Sequence, residues 1–117
     1  MIETVIFNYL KTKLEDVDLY LDVVPDHPES YITMKRIASG IADYIDAATM
    51  EFHCHAPSKY ESAALDEELK NALLGYNDKY GIVEIDEISA CKYGGGNDAA
   101  DPGTKDYRYR SYYNFYY

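Results

Sequence analysis

Apolar residues recur at helical spacing near the start of the chain: Ile2, Val5, Ile6, Tyr9 and Leu10, with Leu14 closing the stripe. Glu3 in the first turn and Lys11 and Lys13 in the last suit the helix dipole, so residues 2–14 are predicted to form an amphipathic helix. The period then changes to two. Residues 18–23 alternate, with Leu19 and Leu21 against Asp18, Tyr20 and Asp22, which predicts a short strand. The PDHP stretch at 25–28 breaks structure twice, because each proline lacks a backbone donor and restricts its predecessor. A second strand is predicted at 30–36, and Ser39-Gly40 reads as a turn. Residues 43–56 then form a long strand with Ala48, Met50, Phe52 and Cys54 on one face and Thr49, Glu51, His53 and His55 on the other. Alternation this clean predicts a sheet covered on one side only.

Pro57-Ser58 opens a second helix, where Ser58 and Glu61 have the spacing of a capping box. Its apolar stripe is Leu65, Leu69, Ala72, Leu73 and Tyr76, and Gly75 or Asn77-Asp78 is expected to end it. Residues 82–93 read as a strand whose alternation slips at Asp86-Glu87, where a bulge fits. Residues 94–105 (GGGNDAADPGTK) show neither period and read as a long flexible loop. A last strand, 107–117, sets Tyr107, Tyr109, Ser111, Tyr113, Phe115 and Tyr117 against Arg108, Arg110, Tyr112, Asn114 and Tyr116. The expected fold class is α+β: an antiparallel or mixed sheet of about five strands, two helices packed on one face, in the order α-β-β-β-α-β-β. A length of 117 residues, with no internal repeat and no linker, predicts a single domain over 1–117.

Composition narrows the function. Eleven Lys and Arg stand against 21 Asp and Glu, a formal charge of −10. That balance opposes specific binding to a phosphate backbone, which needs a basic stripe, and also opposes anionic membranes. Two cysteines, Cys54 and Cys91, are too few for a disulfide framework. Without an 18-residue apolar run or the marks of a signal peptide at the start, the expectation is cytoplasmic residence. The chain has 14 tyrosines and no tryptophan, and tyrosine suits half-buried surfaces and interfaces.

The candidate chemistry is thin. His53 and His55 share a strand face, but a zinc site needs further ligands, for which His27 or Asp22 would have to approach. A solvated polar face over a buried cysteine is the simpler reading, and no metal or cofactor is expected. Cys54 and His55 point to opposite faces, so the imidazole cannot activate the thiol. The glycines 94–96 lack the following Lys-Ser/Thr of a phosphate loop. The acidic clusters at 15–18, 66–68 and 84–87 match no calcium-loop spacing and read as solvated faces. No catalytic residue is expected, and the chain is not read as an enzyme. The last strand points elsewhere. Arg108, Arg110, Tyr112 and Tyr116 are residue types that dominate interface hot spots, and a strand of this kind could lie at an open sheet edge. Asp98, Asp101 and Lys105 would be charged contacts of the neighbouring loop.

At this point the order of elements resembles that of the tail-terminator (tail-completion, minor tail) proteins of long-tailed bacteriophages and prophages. IETVIFNYLKTKLEDVDLYLDVVPDHPESYITMKRI is similar to their opening helix, strand, proline-marked turn and strand. DAATMEFHCHAPSKYESAALDEELKNALL is similar to their long strand running into a capped helix, and KDYRYRSYYNFYY to their last strand with its Tyr-Arg-Tyr start. The resemblance implies a non-enzymatic structural protein of the virion tail or neck. It would form a ring, usually a hexamer, that ends the tail tube and presents a surface to the head connector. Self-association, the tail-tube protein and the head-connector protein are the expected partners, with DNA sliding through the ring rather than being bound. The net charge predicts that such a ring forms poorly at low salt. Two alternatives stand beside this reading: another small neck component such as a head-closure protein, and an acidic inhibitor that mimics DNA.

Overall fold

A computed structural model describes residues 2–14, 17–21, 30–42, 45–74, 88, 90–98 and 107–117. The elements are α1 (Ile2–Lys13), β1 (Asp18–Tyr20), β2 (Tyr31–Ala42), β3 (Ile45–Ala56), α2 (Lys59–Leu74), β4 (Ala90–Asp98) and β5 (Tyr107–Tyr116). This is the α+β order that the periodicity predicts. The five strands form one mixed sheet in the order β1-β2-β3-β5-β4. β1 runs parallel to β2, and the remaining pairs are antiparallel.

One face of the sheet carries the core. Ile32 and Met34 of β2, Met50, Phe52 and Cys54 of β3, and Tyr113 and Phe115 of β5 are buried in a single cluster. Ile2, Ile6, Tyr9 and Leu10 of α1 join it, as do Leu65, Leu69 and Leu73 of α2, so both helices cover the same face. Each of the larger apolar side chains stabilises the fold by roughly 1.5–3 kcal/mol on burial. The helices are also tied to each other and to the sheet. Tyr9 Oη donates to the Ala72 carbonyl at 3.1 Å, and Arg36 Nη1 lies 3.3 Å from Glu3 Oε1.

The start of α2 is built as the capping spacing predicts, with one difference. The Glu61 amide donates to Ser58 Oγ at 3.2 Å, but the Ser58 hydroxyl donates to the Glu61 carboxylate at 3.2 Å. The carboxylate thus accepts a hydrogen bond from the hydroxyl rather than reaching back to the backbone amide. Ser58→Ala removes the acceptor for one orphan amide and is expected to lower the unfolding free energy by about 1 kcal/mol, read from urea denaturation.

Four local expectations are corrected. β1 is shorter than predicted and ends at Tyr20. Ser39 and Gly40 do not turn the chain: they pair with Ala48 and Ala47 inside the β2–β3 ladder. A register shift between Arg36 and Ala38 leaves Ile37 as the extra residue, 44% exposed.

The third correction concerns the predicted loop at 94–105. Residues 94–98 belong to β4, where Gly95, Gly96, Asn97 and Asp98 pair with Tyr112, Ser111, Arg110 and Tyr109. The glycines serve a bulge instead of a loop. Gly94 is the extra residue at the shift between Tyr93 and Gly95, and Gly95 has φ +129°, which side-chain-bearing residues rarely adopt. The rest of that segment, 99–106, lies outside the described residues, as do 82–87, where the other bulge was expected. Lastly, β5 is not an edge. It is flanked by β3 and β4, and β4 takes the outer position.

Candidate functional site

With both helices on one side, the opposite face of the sheet has no layer over it among the described residues. The strand registers fix which side chains meet there. Tyr31, His55 and Arg108 form one row, and Thr33, His53, Arg110 and Asn97 the next. Lys35, Glu51 and Tyr112 follow, then Thr49, Asn114 and Lys92, and finally Ala47, Tyr116 and Ala90.

This face is organised by ring stacking and cross-strand pairs. His55 stacks flat on Tyr31 with centroids 4.3 Å apart and planes at 7°, and Tyr20 meets Tyr31 edge-on at 6.2 Å. The stack leaves His55 only 7% exposed on a face that is otherwise open. His53 Nε2 contacts Glu51 Oε1, and its ring centroid lies 6.1 Å from that of His55. Thr49 Oγ1 donates to Asn114 Oδ1 at 2.7 Å. Two cations lie over aromatic rings, Arg110 at 5.4 Å from Tyr112 and Lys92 at 5.7 Å from Tyr116. A shallow depression of ≈ 280 Å³ opens among Thr33, Lys35, Glu51, His53, His55 and Arg108.

Charge is distributed unevenly between the two sides of the sheet. Lys35, Lys92, Arg108 and Arg110 stand on the uncovered face, four of the chain's 11 Lys and Arg. Among the described residues, Glu51 and Asp18 are the only Asp and Glu that the registers place there. A chain of net charge −10 therefore carries a locally cationic, tyrosine-rich face.

The predicted interface residues separate accordingly. Arg108, Arg110, Tyr112 and Tyr116 are brought together on this face by alternation along β5. The same face carries side chains of β2 and β4 that sequence reasoning did not connect with them, chiefly Tyr31, Lys35 and Lys92. Those residues carry no local signal, since only strand order brings β2 and β4 to either side of the β3–β5 pair. Asp98 closes the β4 ladder opposite Tyr109, while Asp101 and Lys105 lie outside the described residues.

Among the described residues no group of three or more His, Cys, Asp and Glu side chains converges as metal ligands. His27 and Asp22, the additional ligands a zinc site would have needed, lie outside the described residues. Cys54 is fully buried on the core side, away from His55, and burial raises its thiol pKa well above the ordinary value. Burial likewise pushes the Cys91 thiol up to about 12. Neither thiol is set up as a nucleophile.

A second polar group sits inside the fold. Asp66, on the buried side of α2, is 4% exposed, and burial raises its carboxyl pKa above the ordinary value. The Ser111 hydroxyl of β5 lies near enough to oppose that rise, yet Asp66 Oδ1, Ser111 Oγ and Tyr113 Oη are all buried without a hydrogen-bond partner. The acidic cluster at 66–68 is thus only partly a solvated face. Glu67 and Glu68 are exposed, whereas Asp66 occupies the helical stripe of Ser62, Leu65, Leu69 and Leu73. That spacing was the available signal.

Comparison with protein-family profiles and with curated proteins finds no match to this chain.

Proposed function

We propose that the chain is a non-enzymatic assembly subunit of a phage or prophage tail, forming a ring at the head-proximal end of the tail tube. The observation that carries this reading is the uncovered sheet face. It gathers Arg108, Arg110, Tyr31, Tyr112 and Tyr116, of the residue types that dominate binding hot spots, on one face of a five-stranded sheet. Two strand edges add to it. β1 covers only Tyr31–Thr33 of β2, and the outer side of β4 has no strand beside it among the described residues. Edges of that kind invite pairing with another chain.

Among the described residues no cluster of three or more metal ligands stands on the face, and its breadth suits protein contact. The element order resembles that of tail terminators, which gives the assembly its place in the virion. Repeated head-to-tail contacts close into a ring when their rotation closes. An overall acidic ring would repel DNA phosphates and let the genome pass.

The direct test is electron microscopy of tail-tube protein polymerised with and without this chain. The reading predicts shorter tubes bearing a ring of extra density at one tip. Tubes of unchanged length with bare ends would move the assignment to the head side of the neck or to an acidic inhibitor.

A further inference from the structure

We propose that the cationic sheet face of one copy receives the acidic outer face of α2 from a second copy, so that subunits join head to tail. The inference rests on the assembly reading and supplies its contact. The outer side of α2 exposes Glu61, Glu67 and Glu68 around two small residues, Ala63 and Ala64, with Tyr60 beside them at 83% exposure. Small residues let a helix approach closely, and an exposed tyrosine is a ready anchor. α2 covers the core side of the sheet, so its outer side points away from the uncovered face. The two complementary surfaces therefore lie on opposite sides of one subunit, so a single two-fold contact cannot engage both and the joining is head to tail.

The spacing fits. Lys35 on β2 and Lys92 on β4 are three strand intervals and one row apart, about 15 Å. A helix about 10–12 Å wide lies between them, and its carboxylates from Glu61 to Glu68 span about 10 Å along the axis. Flexible lysine side chains cover the difference. A second copy also brings Tyr60, Ala63 and Ala64 of α2 to a sheet that otherwise has helices on one side only. A single-stranded nucleic acid fits less well, because Glu51 stands at the centre of the face and the remainder of the chain is strongly acidic.

The contact predicts an unusual salt response. At about 0.01 M salt the screening length is about 30 Å, longer than the subunit is thick, and the net charge of each copy repels the other. Near 0.15 M it is about 8 Å, and only facing charges are felt; near 1 M, at about 3 Å, those too are screened. Association should peak at intermediate salt.

The experiment is sedimentation of the full chain up to about 1 mM, where contacts worth a few kcal/mol are visible, across these salt concentrations. Two double variants accompany it, Glu67→Lys/Glu68→Lys and Lys35→Glu/Lys92→Glu, all at exposed positions, with circular dichroism to verify folding. Each variant alone should lose about tenfold or more in self-association, and a one-to-one mixture should recover it, because each then offers the surface the other lacks. Variants that associate like the parent, a mixture that stays apart, or a parent that is monomeric throughout would each overturn the contact. Binding of an oligothymidylate that competes with self-association would give the face to nucleic acid and overturn it as well. Tube capping by the parent separates the two ideas: if capping persists while the charge exchange has no effect, this contact fails and the assembly reading stands.

Discussion

Gly96→Ala is expected to lower the unfolding free energy by about 2 kcal/mol and the melting temperature by about 8 °C, a large effect for one methyl group on an edge strand. A Cβ at Gly96 would stand 2.7 Å from Tyr93 Oη, 2.9 Å from the Arg110 carbonyl oxygen and 3.2 Å from Tyr109 Cε1. The tyrosine hydroxyl can swing aside, but the carbonyl is backbone of β5 and moves only with the strand. Gly95→Ala is destabilising for a different reason. Open space surrounds its Cβ position, yet φ +129° holds the residue where a side chain is strained. The two substitutions act on one bulge, so their effects should not add. Thermal unfolding followed by circular dichroism reads both. A Gly96→Ala change within about 0.5 kcal/mol of the parent, the usual range for surface sites, would mean that β4 is not held against β5 as described.

That segment also marks where the sequence is hard to read. A run of glycine, asparagine and aspartate carries no hydrophobic period, and the usual inference is a loop. β4 is a strand through Asp98 because β5 offers it a ladder and because the bulge needs residues without side chains, facts that lie on the partner strand. Long periodic segments were legible for the opposite reason. The alternation of Ala48, Met50, Phe52 and Cys54 records burial on one face directly, and so does the stripe of Ile2, Ile6, Tyr9 and Leu10. The candidate face was half visible. Arg108, Arg110, Tyr112 and Tyr116 alternate within one strand, but Lys35 and Lys92 join them only through a strand order in which β5 inserts between β3 and β4. The parallel pairing of β1 with β2 was equally out of reach, since a three-residue strand holds too little pattern to set its direction.

Asp66→Asn is expected to raise stability at neutral pH by about 1–2 kcal/mol, because a buried carboxylate without a full set of partners is costly and an amide of the same shape is not charged. The groups around Asp66 cannot compensate it. Lys70, one turn on along α2, favours the charged form, and Glu67 opposes it. Tyr93 of β4, Tyr113 of β5 and Cys54 of β3 are neutral groups whose own ionisation Asp66 further disfavours. The pH dependence has a definite sign. With the folded pKa raised, the native state holds its proton over a window where the unfolded chain has lost it. Stability from this site is therefore complete below the ordinary carboxyl range, near pH 4, and falls as pH rises through the raised folded value. Denaturant unfolding at a series of pH values should show this slope in the parent and a flatter profile in Asp66→Asn. Loss of stability in the variant at pH 7 would contradict the description of Asp66 as a buried carboxyl whose partners do not offset its burial.

The same charge distribution underlies the assembly account. The net −10 makes copies repel at long range, while the cationic sheet face and the acidic outer side of α2 attract at contact. Association should therefore be weak, salt-tuned and helped by a template, which a tube tip provides. The most direct measurement of the central claim is the light-scattering mass of the chain near 0.15 M salt, alone over a range of concentration and then with the tail-tube protein of the same genome. The account predicts a mass that rises with concentration and a capped complex once the tube protein is present. A constant monomer mass in both series would contradict it.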